Sequence, residues 1–325
     1  MKSKWAERQL AECRLCPRQC GVDRAGGETG WCGATADAQY FMEYVHYGEE
    51  PELVPSHTVY LTGCNLGCVF CHTAFERKDA ANVRLLTSKE LTAVIARGRE
   101  EGAKNLNLLG GEPAVNLPAL LGLFEEVTDV PPVVWNTNLY CTAETLSMTE
   151  GIADVYLADL KFGSDGCAKG AAKVNDYVDV VRSRLRELYQ GGKKMIIRHL
   201  VLPGHVACCT RPSLEWIAKE LPGARVSLKR DYLVMPGAKE HKDFGRFLSM
   251  EETSAVEELA SSLDLDFVQS SLSSSPAPAG RKGTRTLDAE VVISPDGEVY
   301  LHHPTREIAD LGAGISGDSA REEKE

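Results

Sequence analysis

From residue 57 onward, short apolar runs typical of β-strands alternate with amphipathic stretches typical of α-helices. This alternation predicts a parallel α/β sheet or barrel, because parallel strands need long crossovers that are usually helical. Six strands are predicted, at 57–63, 105–109, 132–137, 154–161, 194–202 and 225–234. Each is followed by a predicted helix, at 88–102, 117–127, 143–148, 174–190, 211–221 and 250–263. Ser88 is the expected N-cap of the first of these helices.

The pattern divides the chain into three expected domains. Residues 1–50 are rich in cysteine and glycine and show little periodicity, which favours a small metal-binding module over helix or sheet. Residues 51–250 carry the strand–helix units. Residues 251–325 are expected to form a C-terminal α+β extension, with a Ser/Pro-rich mobile loop at 270–286, a β-hairpin pairing 289–294 with 298–302, and a frayed end from about residue 312.

The charge and hydropathy of the sequence restrict the kinds of partner that the protein can bind. The 325 residues include 36 Lys plus Arg against 47 Asp plus Glu, a net charge of −11, whereas nucleic-acid binding needs a basic stripe. No apolar run approaches the roughly 18 residues of a membrane span, and the first residues lack the apolar core of a secretory signal. We therefore expect a cytoplasmic protein that binds neither nucleic acid nor membrane.

Eleven cysteines are many for such a chain, and an odd number fits poorly with a closed set of disulfides. Seven fall into two groups, while four lie apart in sequence: Cys141, Cys167, Cys208 and Cys209. Clustered thiols in a cytosolic protein predict metal ligands.

The first group, called here the N-terminal tetrad, has the spacing C-x2-C-x3-C-x11-C and comprises Cys13, Cys16, Cys20 and Cys32. Four thiolates can complete a tetrahedral zinc site or saturate an iron–sulfur cluster, and the sequence does not choose between these two. Glycines at 27, 30 and 33 favour a compact metal-binding loop with a structural or electron-relaying role. Four free thiols are the alternative, although exposed grouped thiols are reactive.

The second group, called here the cysteine loop, follows the first predicted strand with the spacing C-x3-C-x2-C and comprises Cys64, Cys68 and Cys71. A [4Fe–4S] cube has four irons, so three cysteines leave one iron open to a chelating small molecule. A zinc site or chance spacing is the alternative. The second predicted strand ends in Leu109-Gly110-Gly111-Glu112-Pro113, about 40 residues further on.

The cysteine spacing, the aromatic Phe70 before the last cysteine, and this Gly-Gly-Glu-Pro turn together resemble the radical S-adenosylmethionine (SAM) superfamily. The resemblance implies that a [4Fe–4S] cluster on the three cysteines binds SAM through its amino and carboxylate groups. An electron from a donor such as flavodoxin or ferredoxin then splits SAM into methionine and a 5′-deoxyadenosyl radical, which takes hydrogen from a substrate. The resemblance also implies that the SAM ammonium is received by Gly110, Gly111 and Glu112.

Three further segments, at 134–138, 157–161 and 196–204, resemble the strand ends of pyruvate formate-lyase activating enzymes. The resemblance implies that Asn136 and Thr137 face the methionyl or ribose groups of SAM, that Lys161 meets its carboxylate, and that Asp159 holds this arrangement. Arg198 is a weaker candidate for the same pocket. The alternative for these charged residues is an ordinary surface ion pair.

Two departures from that family concern single positions. Thr73 stands where the activating enzymes usually carry Asn, and Asn136 stands where they carry Asp. His72 and His199 fit a structural role as well as a catalytic one.

The stretch from about residue 10 to 235, including the N-terminal tetrad, is similar to a PflX-type group within the superfamily. The similarity implies a partial (β/α)6 radical SAM barrel with a small Cys-rich N-terminal module. It allows a glycine Cα–H of a partner protein as substrate, with another protein, a peptide or a metabolite as alternatives. A non-catalytic iron–sulfur electron carrier or metal-binding scaffold would also explain the cysteines, but not the Gly-Gly-Glu-Pro turn.

Overall fold

The computed structural model describes residues 2–48, 50–74 and 82–268, and the backbone of 290–293 and 299–302. The chain divides into two compact units, Met1–Ser274 and Ser275–Glu325. The helices are α1 Lys2–Ala11, α2 Ser88–Glu100, α3 Pro113–Glu126, α4 Ala143–Met148, α5 Asp165–Ala172, α6 Tyr177–Gln190, α7 Arg211–Glu220 and α8 Met250–Ser262. The strands of the first unit are β1 Gln39–His46, β2 Ser56–Leu61, β3 Arg84–Leu85, β4 Asn105–Gly110, β5 Val133–Thr137, β6 Val155–Asp159, β7 Met195–Leu200, β8 Arg225–Lys229 and β9 Asp266–Phe267.

Nine described strands form one sheet in the order β3-β1-β2-β4-β5-β6-β7-β8-β9. The pairs from β2 through β9 are parallel, while β1 runs antiparallel to β2 and to β3. The six predicted strands are β2 and β4 to β8, and a helix follows each along the chain. The prediction of a partial (β/α)6 barrel is confirmed.

The two faces of the sheet carry different chemistry because successive side chains of a strand point to opposite sides. On β4, Leu106 and Leu108 join the main core beneath the helices, which places Asn107 on the inner face. Near the amino ends of the strands, the inner face is covered by a separate apolar cluster of Leu53, Val134, Leu157, Ile196 and Val268. We call this cluster the inner plug.

Three members of the inner plug lie on β5, β6 and β7. Two residues further along each of these strands, the side chain on the same face is polar: Asn136 on β5, Asp159 on β6 and Arg198 on β7. The inner face therefore changes from apolar to polar towards the carboxyl ends of the strands. Barrels of this kind place their sites at that end.

The expectation that residues 1–50 hold neither helix nor strand is wrong. Helix α1 packs against α3 and buries Trp5 and Ala6. Strand β1 joins the main sheet, but a bulge between Tyr40 and Met42 interrupts its alternation, so period-two patterning is lost. The four cysteines of the N-terminal tetrad lie in the connection between α1 and β1.

Two local expectations are also corrected. The N-cap of α2 is Thr87 rather than Ser88, and its hydroxyl accepts a hydrogen bond from the Glu90 amide at 3.2 Å. Helix α5 was not predicted, because its segment Asp165–Ala172 contains two glycines and only small apolar residues. It buries Ala168, Ala171 and Ala172.

In the second unit, β10 Glu290–Ile293 pairs antiparallel with β11 Val299–His302, so the predicted hairpin is confirmed. The turn between the two predicted strands, at 295–297, the whole loop at 270–286 and the acidic end lie outside the described residues. Among the helices that are described, none is at once long and apolar enough to cross a membrane.

Candidate functional site

The cysteine loop starts three residues after β2 ends, at the carboxyl edge of the sheet, and its three thiols are partly exposed. Backbone hydrogen bonds fix it to the end of α5. The Gly67 amide donates to the Ala172 carbonyl at 2.8 Å, and the Val69 amide donates to the Ala171 carbonyl at 2.9 Å. The loop that carries the thiols is therefore held by a helix end rather than being free to reshape.

Phe70 lies in the core beneath this loop, with 4% of its surface exposed. Its ring lies 5.3 Å from that of Phe244, 6.1 Å from that of Phe162 and 6.5 Å from that of Tyr232, measured between centroids. The aromatic residue of the motif thus anchors the loop through packing.

Polar contacts surround the first and last cysteines of the loop. The Leu66 amide donates to Cys64 Sγ at 3.4 Å. Thr73 Oγ1 lies 3.7 Å from Cys71 Sγ and donates to the Gly110 carbonyl at 3.3 Å. The hydroxyl at position 73, where the resembling family has an amide, therefore links the third cysteine to the Gly-Gly-Glu-Pro turn.

The glycines of that turn are required by its closeness to the end of β2 and to Gly63, directly before the cysteine loop. Gly110 has φ +108°, and a Cβ there would lie 2.5 Å from the Leu61 nitrogen. A Cβ on Gly111 would overlap the carbonyl oxygen of Gly63. The Gly111 amide donates to the Leu61 carbonyl at 2.7 Å, and the Glu112 amide donates to the Gly63 carbonyl at 2.8 Å.

The Glu112 carboxylate is buried, with 1% of the residue exposed, and joins the ends of β4 and β5. It accepts hydrogen bonds from Thr137 Oγ1 at 2.6 Å, the Asn138 amide at 2.7 Å and the Ala114 amide at 3.0 Å. Burial raises the pKa of Glu112 to about 7, against the opposing effect of these three donors. Thr137 is thus placed beside Glu112.

Asn136 lies beside Thr137 on β5 but faces the other side of the sheet. Its Nδ2 is buried and has no hydrogen-bond partner among the described residues. A buried donor left unpaired costs roughly 1–3 kcal/mol, so the inner face offers a hydrogen bond that an acceptor on a bound molecule would complete.

Asp159, Lys161 and Arg198 form one charged network at the ends of β6 and β7. Lys161 Nζ donates to Asp159 Oδ2 at 2.5 Å, and Arg198 Nε lies 3.9 Å from Asp159 Oδ1. Between 16% and 22% of these side chains is exposed, so the surface ion pair offered as the alternative does not describe them. Burial lowers the pKa of Lys161, but the charges of Asp159 and Cys68 more than offset it and the net shift is upward.

Glu50, which no sequence motif indicated, completes this network. It is fully buried, its Oε1 lies 3.4 Å from both Arg198 Nε and Lys229 Nζ, and it accepts a hydrogen bond from Ser227 Oγ at 2.8 Å. No signal in the aperiodic segment around residue 50 indicates that its carboxylate lies inside the barrel. Asn138 was also missed; its Nδ2 donates to Asn65 Oδ1 at 2.9 Å, within the cysteine loop.

The two candidate histidines, His72 and His199, have different surroundings. His199 is buried between the Leu160 carbonyl (2.6 Å from Nδ1) and Thr210 Oγ1 (3.0 Å from Nε2), and burial lowers its pKa to about 4. It is a neutral structural link. The pKa of His72 is lowered by burial and by the charges of Lys161 and Arg198, so His72 lies near the charged network.

The four cysteines of the N-terminal tetrad line one small pocket. Arg24 enters it: its Nη2 donates to Cys13 Sγ at 3.1 Å and to Cys32 Sγ at 3.5 Å, and its Nη1 donates to the Val115 carbonyl at 2.7 Å. Burial raises the pKa of Cys16 to about 11 and also raises that of Cys32. A metal must displace these thiol protons on binding.

The tetrad touches the cysteine loop directly, because the Cys64 amide donates to the Cys32 carbonyl at 3.1 Å. The two predicted cysteine groups are therefore adjacent in the fold. Three of the four cysteines that lie apart in sequence also meet, namely Cys167, Cys208 and Cys209. A His-x2-Cys-Cys spacing from His205 is the one local signal for that group.

Comparison with known proteins gives one matching family model, the Radical SAM superfamily, over residues 58–217. The chain is 35% identical over 274 residues to Uncharacterized protein MJ0674 of Methanocaldococcus jannaschii, a match covering 82% of this chain and 80% of that protein. It is 25% identical over 168 residues to 7-carboxy-7-deazaguanine synthase of Methanothermobacter thermautotrophicus, covering 49% of this chain and 68% of the synthase.

Among solved structures, Streptococcus suis SuiB bound to its precursor peptide SuiA matches with a TM-score of 0.46 and 15% identity over 63% of this chain. The match covers 46% of SuiB, so the chain spans less than half of that protein's length. A domain of pyruvate-formate lyase-activating enzyme from Bacteroides vulgatus matches with a TM-score of 0.40 and 16% identity, over 51% of this chain and 98% of that domain.

Proposed function

Because the chain belongs to the radical SAM superfamily, we propose that its cysteine loop and the neighbouring strand ends form the catalytic site of a radical SAM enzyme that abstracts hydrogen from a substrate. When bound, the [4Fe–4S] cluster and SAM supply an electron and a 5′-deoxyadenosyl radical. The observation that carries the proposal is the backbone pairing of the Gly-Gly-Glu-Pro turn with Leu61 and Gly63, directly before the cysteine loop, at the carboxyl edge of the parallel strands.

In this proposal Cys64, Cys68 and Cys71 bind the cluster and leave one iron for SAM. Their partial exposure at the mouth of the inner face favours access by a small molecule. The hydrogen bonds from Gly67 and Val69 to α5 keep the thiols in a fixed arrangement, which lowers the entropic cost of cluster binding.

Gly110, Gly111 and Glu112 receive the SAM ammonium. A carboxylate accepts about four hydrogen bonds, and Glu112 uses three of its positions for protein donors. One acceptor position therefore remains for an ammonium group, and that positive charge would lower the raised pKa of Glu112.

Asn136 donates its unpaired amide hydrogen to a methionyl or ribose oxygen of SAM. Lys161 binds the SAM carboxylate, and Asp159 fixes the position of the Lys161 ammonium group. Arg198, held by Glu50 and Asp159, adds a second positive charge to the same inner face. Thr137 supports this pocket indirectly, through its bond to Glu112.

The N-terminal tetrad binds a second iron–sulfur cluster that passes electrons from a flavodoxin or ferredoxin to the cysteine loop. The backbone hydrogen bond between Cys64 and Cys32 gives a short path between the two groups. Zinc is the alternative occupant of the tetrad. A reducing cytoplasm suits these grouped thiols.

The last part of the proposal concerns the identity of the substrate. Following the resemblance to pyruvate formate-lyase activating enzymes, it is a glycine Cα–H of a partner protein, converted to a glycyl radical. This part of the proposal is tested by capturing binding partners without oxygen and seeking the electron paramagnetic resonance of a glycyl radical in them after addition of SAM and reductant.

The catalytic assignment is tested by incubating reconstituted protein without oxygen with SAM and dithionite and measuring 5′-deoxyadenosine. We expect the wild type to produce it and Cys68→Ala to produce none. Cys141→Ala is the matched control, since Cys141 is buried outside all three cysteine groups. Equal yields from Cys68→Ala and Cys141→Ala would show that the loop is not the catalytic site.

A further inference from the structure

Four potential metal ligands from two distant segments of the chain converge beside the barrel. Cys167 belongs to α5, Cys208 and Cys209 lie on a π-helical turn at Val206–Thr210, and His205 directly precedes that turn. One ligand atom from each lies within 4.8 Å of all the others. Across 2–48, 50–74 and 82–268, no other group of three or more His, Cys, Asp or Glu is as compact.

The π-helical turn brings three of these ligands to one side. The Cys209 and Thr210 amides both donate to the His205 carbonyl, at 2.8 Å and 3.3 Å. Residues three and four positions apart share a helix face, so Cys208 and Cys209 can meet the same ion as His205. Turns of the π type are frequent at functional sites.

The fourth ligand is brought close by a glycine. A Cβ on Gly163 would lie 2.7 Å from the Cys209 carbonyl oxygen and 3.0 Å from that of Cys208. The connection from β6 to α5 therefore packs directly on the π-helical turn. Cys167 Sγ consequently lies 3.4 Å from Cys208 Sγ.

The imidazole of His205 is oriented as a metal ligand would be. Its Nδ1 lies 3.4 Å from Cys208 Sγ, and its Nε2 lies 3.8 Å from Asp243 Oδ2. That Nε2 is buried and has no hydrogen-bond partner among the described residues. Metal-bound histidines commonly direct the second ring nitrogen to a carboxylate. The Phe244 ring stacks on the imidazole at 4.9 Å with an interplanar angle of 5°, which fixes its plane.

We propose that Cys167, His205, Cys208 and Cys209 bind one zinc ion as a structural site. Three thiolates and one imidazole make a complete tetrahedral zinc site. With Zn–S bonds of about 2.3 Å, tetrahedral geometry puts the sulfurs about 3.8 Å apart, close to the 3.4 Å between Cys167 and Cys208. The thiolates of a four-iron cube bind different irons and need a wider spacing.

The zinc ion would join α5 to the connection between β7 and α7. The same helix α5 accepts the backbone hydrogen bonds of the cysteine loop through Ala171 and Ala172. Zinc at its first turn therefore secures the support of that loop. The inference is independent of SAM cleavage, because every ligand lies outside the proposed catalytic site.

The test measures zinc in the full-length protein carrying Cys13→Ser and Cys16→Ser, so that the N-terminal tetrad contributes none. In this background we expect one equivalent of zinc. Adding Cys167→Ser and Cys208→Ser should remove that equivalent, whereas adding Cys141→Ala should leave it in place. Equal zinc content in the two variants would overturn the proposal.

A second measurement covers the case in which the added serines prevent folding. The Cys13→Ser, Cys16→Ser protein, with Cys64→Ser and Cys68→Ser added so that the cysteine loop binds no cobalt, is stripped of metal by a chelator and titrated with Co²⁺, with circular dichroism confirming that it stays folded. One equivalent should give the intense absorption of tetrahedral thiolate-bound cobalt. A folded protein that shows only weak octahedral bands, or a Cys167–Cys208 disulfide in protein purified without exposure to oxygen, would overturn the proposal.

Discussion

The N-terminal tetrad and the cysteine loop are adjacent, yet their surroundings differ. The tetrad has four thiols around one cavity and a fixed positive charge, Arg24, that donates to two of their sulfurs. The loop has three thiols at the mouth of a polar inner face, with the unpaired Asn136 amide and the Lys161 ammonium nearby. A complete ligand set suits a resident metal, whereas an incomplete set beside free hydrogen-bonding capacity suits an exchangeable ligand.

The strongest test of this difference is Gly111→Ala. A methyl group there would overlap the Gly63 carbonyl and force the Gly-Gly-Glu-Pro turn away from the cysteine loop. We expect loss of the loop's iron and a destabilisation of several kcal/mol, of the order seen for severe overpacking. Iron content and thermal unfolding measure both, and the tetrad should keep its metal.

Gly122→Ala on α3 is the control, since a Cβ there meets nothing within 4 Å. It should leave stability unchanged or raise it by about 0.5–1 kcal/mol, because alanine favours helix. If Gly111→Ala behaved like this control, the close packing of the turn on the loop would have no energetic importance.

Glu112→Gln tests the charge state of the carboxylate behind the open site. With a folded-state pKa of about 7, above the ordinary 4.5, the folded chain holds this proton more tightly than the unfolded chain. That stabilisation is complete below pH 4.5 and is lost as pH rises through 7. Relative to Glu112→Gln, the wild type without SAM should therefore lose about 3 kcal/mol of unfolding free energy between pH 4.5 and pH 8.

Urea unfolding at several pH values measures this difference. Glu125→Gln, on the exposed side of the same helix, should run parallel to the wild type. A constant difference between wild type and Glu112→Gln across this range would mean that folding does not raise the pKa of Glu112.

Cys13→Ser with Cys16→Ser tests the relay assigned to the tetrad. With a flavodoxin as donor, we expect 5′-deoxyadenosine formation to fall by roughly an order of magnitude. With dithionite, which can reach the partly exposed loop itself, the rate should change little. Equal loss with both donors would indicate that the tetrad holds the loop in shape rather than carrying electrons.

The smallest expected effect is that of Lys161→Met on SAM binding. Removing one charge-assisted hydrogen bond at a partly exposed position should weaken binding about fivefold, or about 1 kcal/mol. Equilibrium dialysis under anoxic conditions measures the affinity. Lys169→Met, at an exposed position of α5, is the control and should bind SAM like the wild type.

The hydropathy pattern of the sequence predicted the elements whose side chains are arranged by local burial. The strands from β2 to β8 in the parallel core appear as apolar runs because helices cover one face and the inner plug covers part of the other. It missed β1, whose alternation is broken by a bulge, and α5, whose glycines disguise a helix that packs through three alanines.

The residues of the candidate site likewise divide into those that sequence motifs identified and those that they did not. Motifs with short spacings identified the cysteine loop and the Gly-Gly-Glu-Pro turn, because all residues of each motif lie within one short segment of the chain. Glu50 could not be found, since its partners Arg198 and Lys229 are far along the chain. Cys167 and Cys208 are separated by 41 positions, and only the packing of Gly163 on the π-helical turn brings them together.

The inner plug has a consequence for where a charged ligand can bind. Leu53, Val134, Leu157, Ile196 and Val268 cover the inner face near the amino ends of the strands, so a charged group placed there would give up its water without gaining a polar partner. A ligand that carries charges is therefore expected to stay two residues further along the strands, beside Asn136, Asp159 and Arg198.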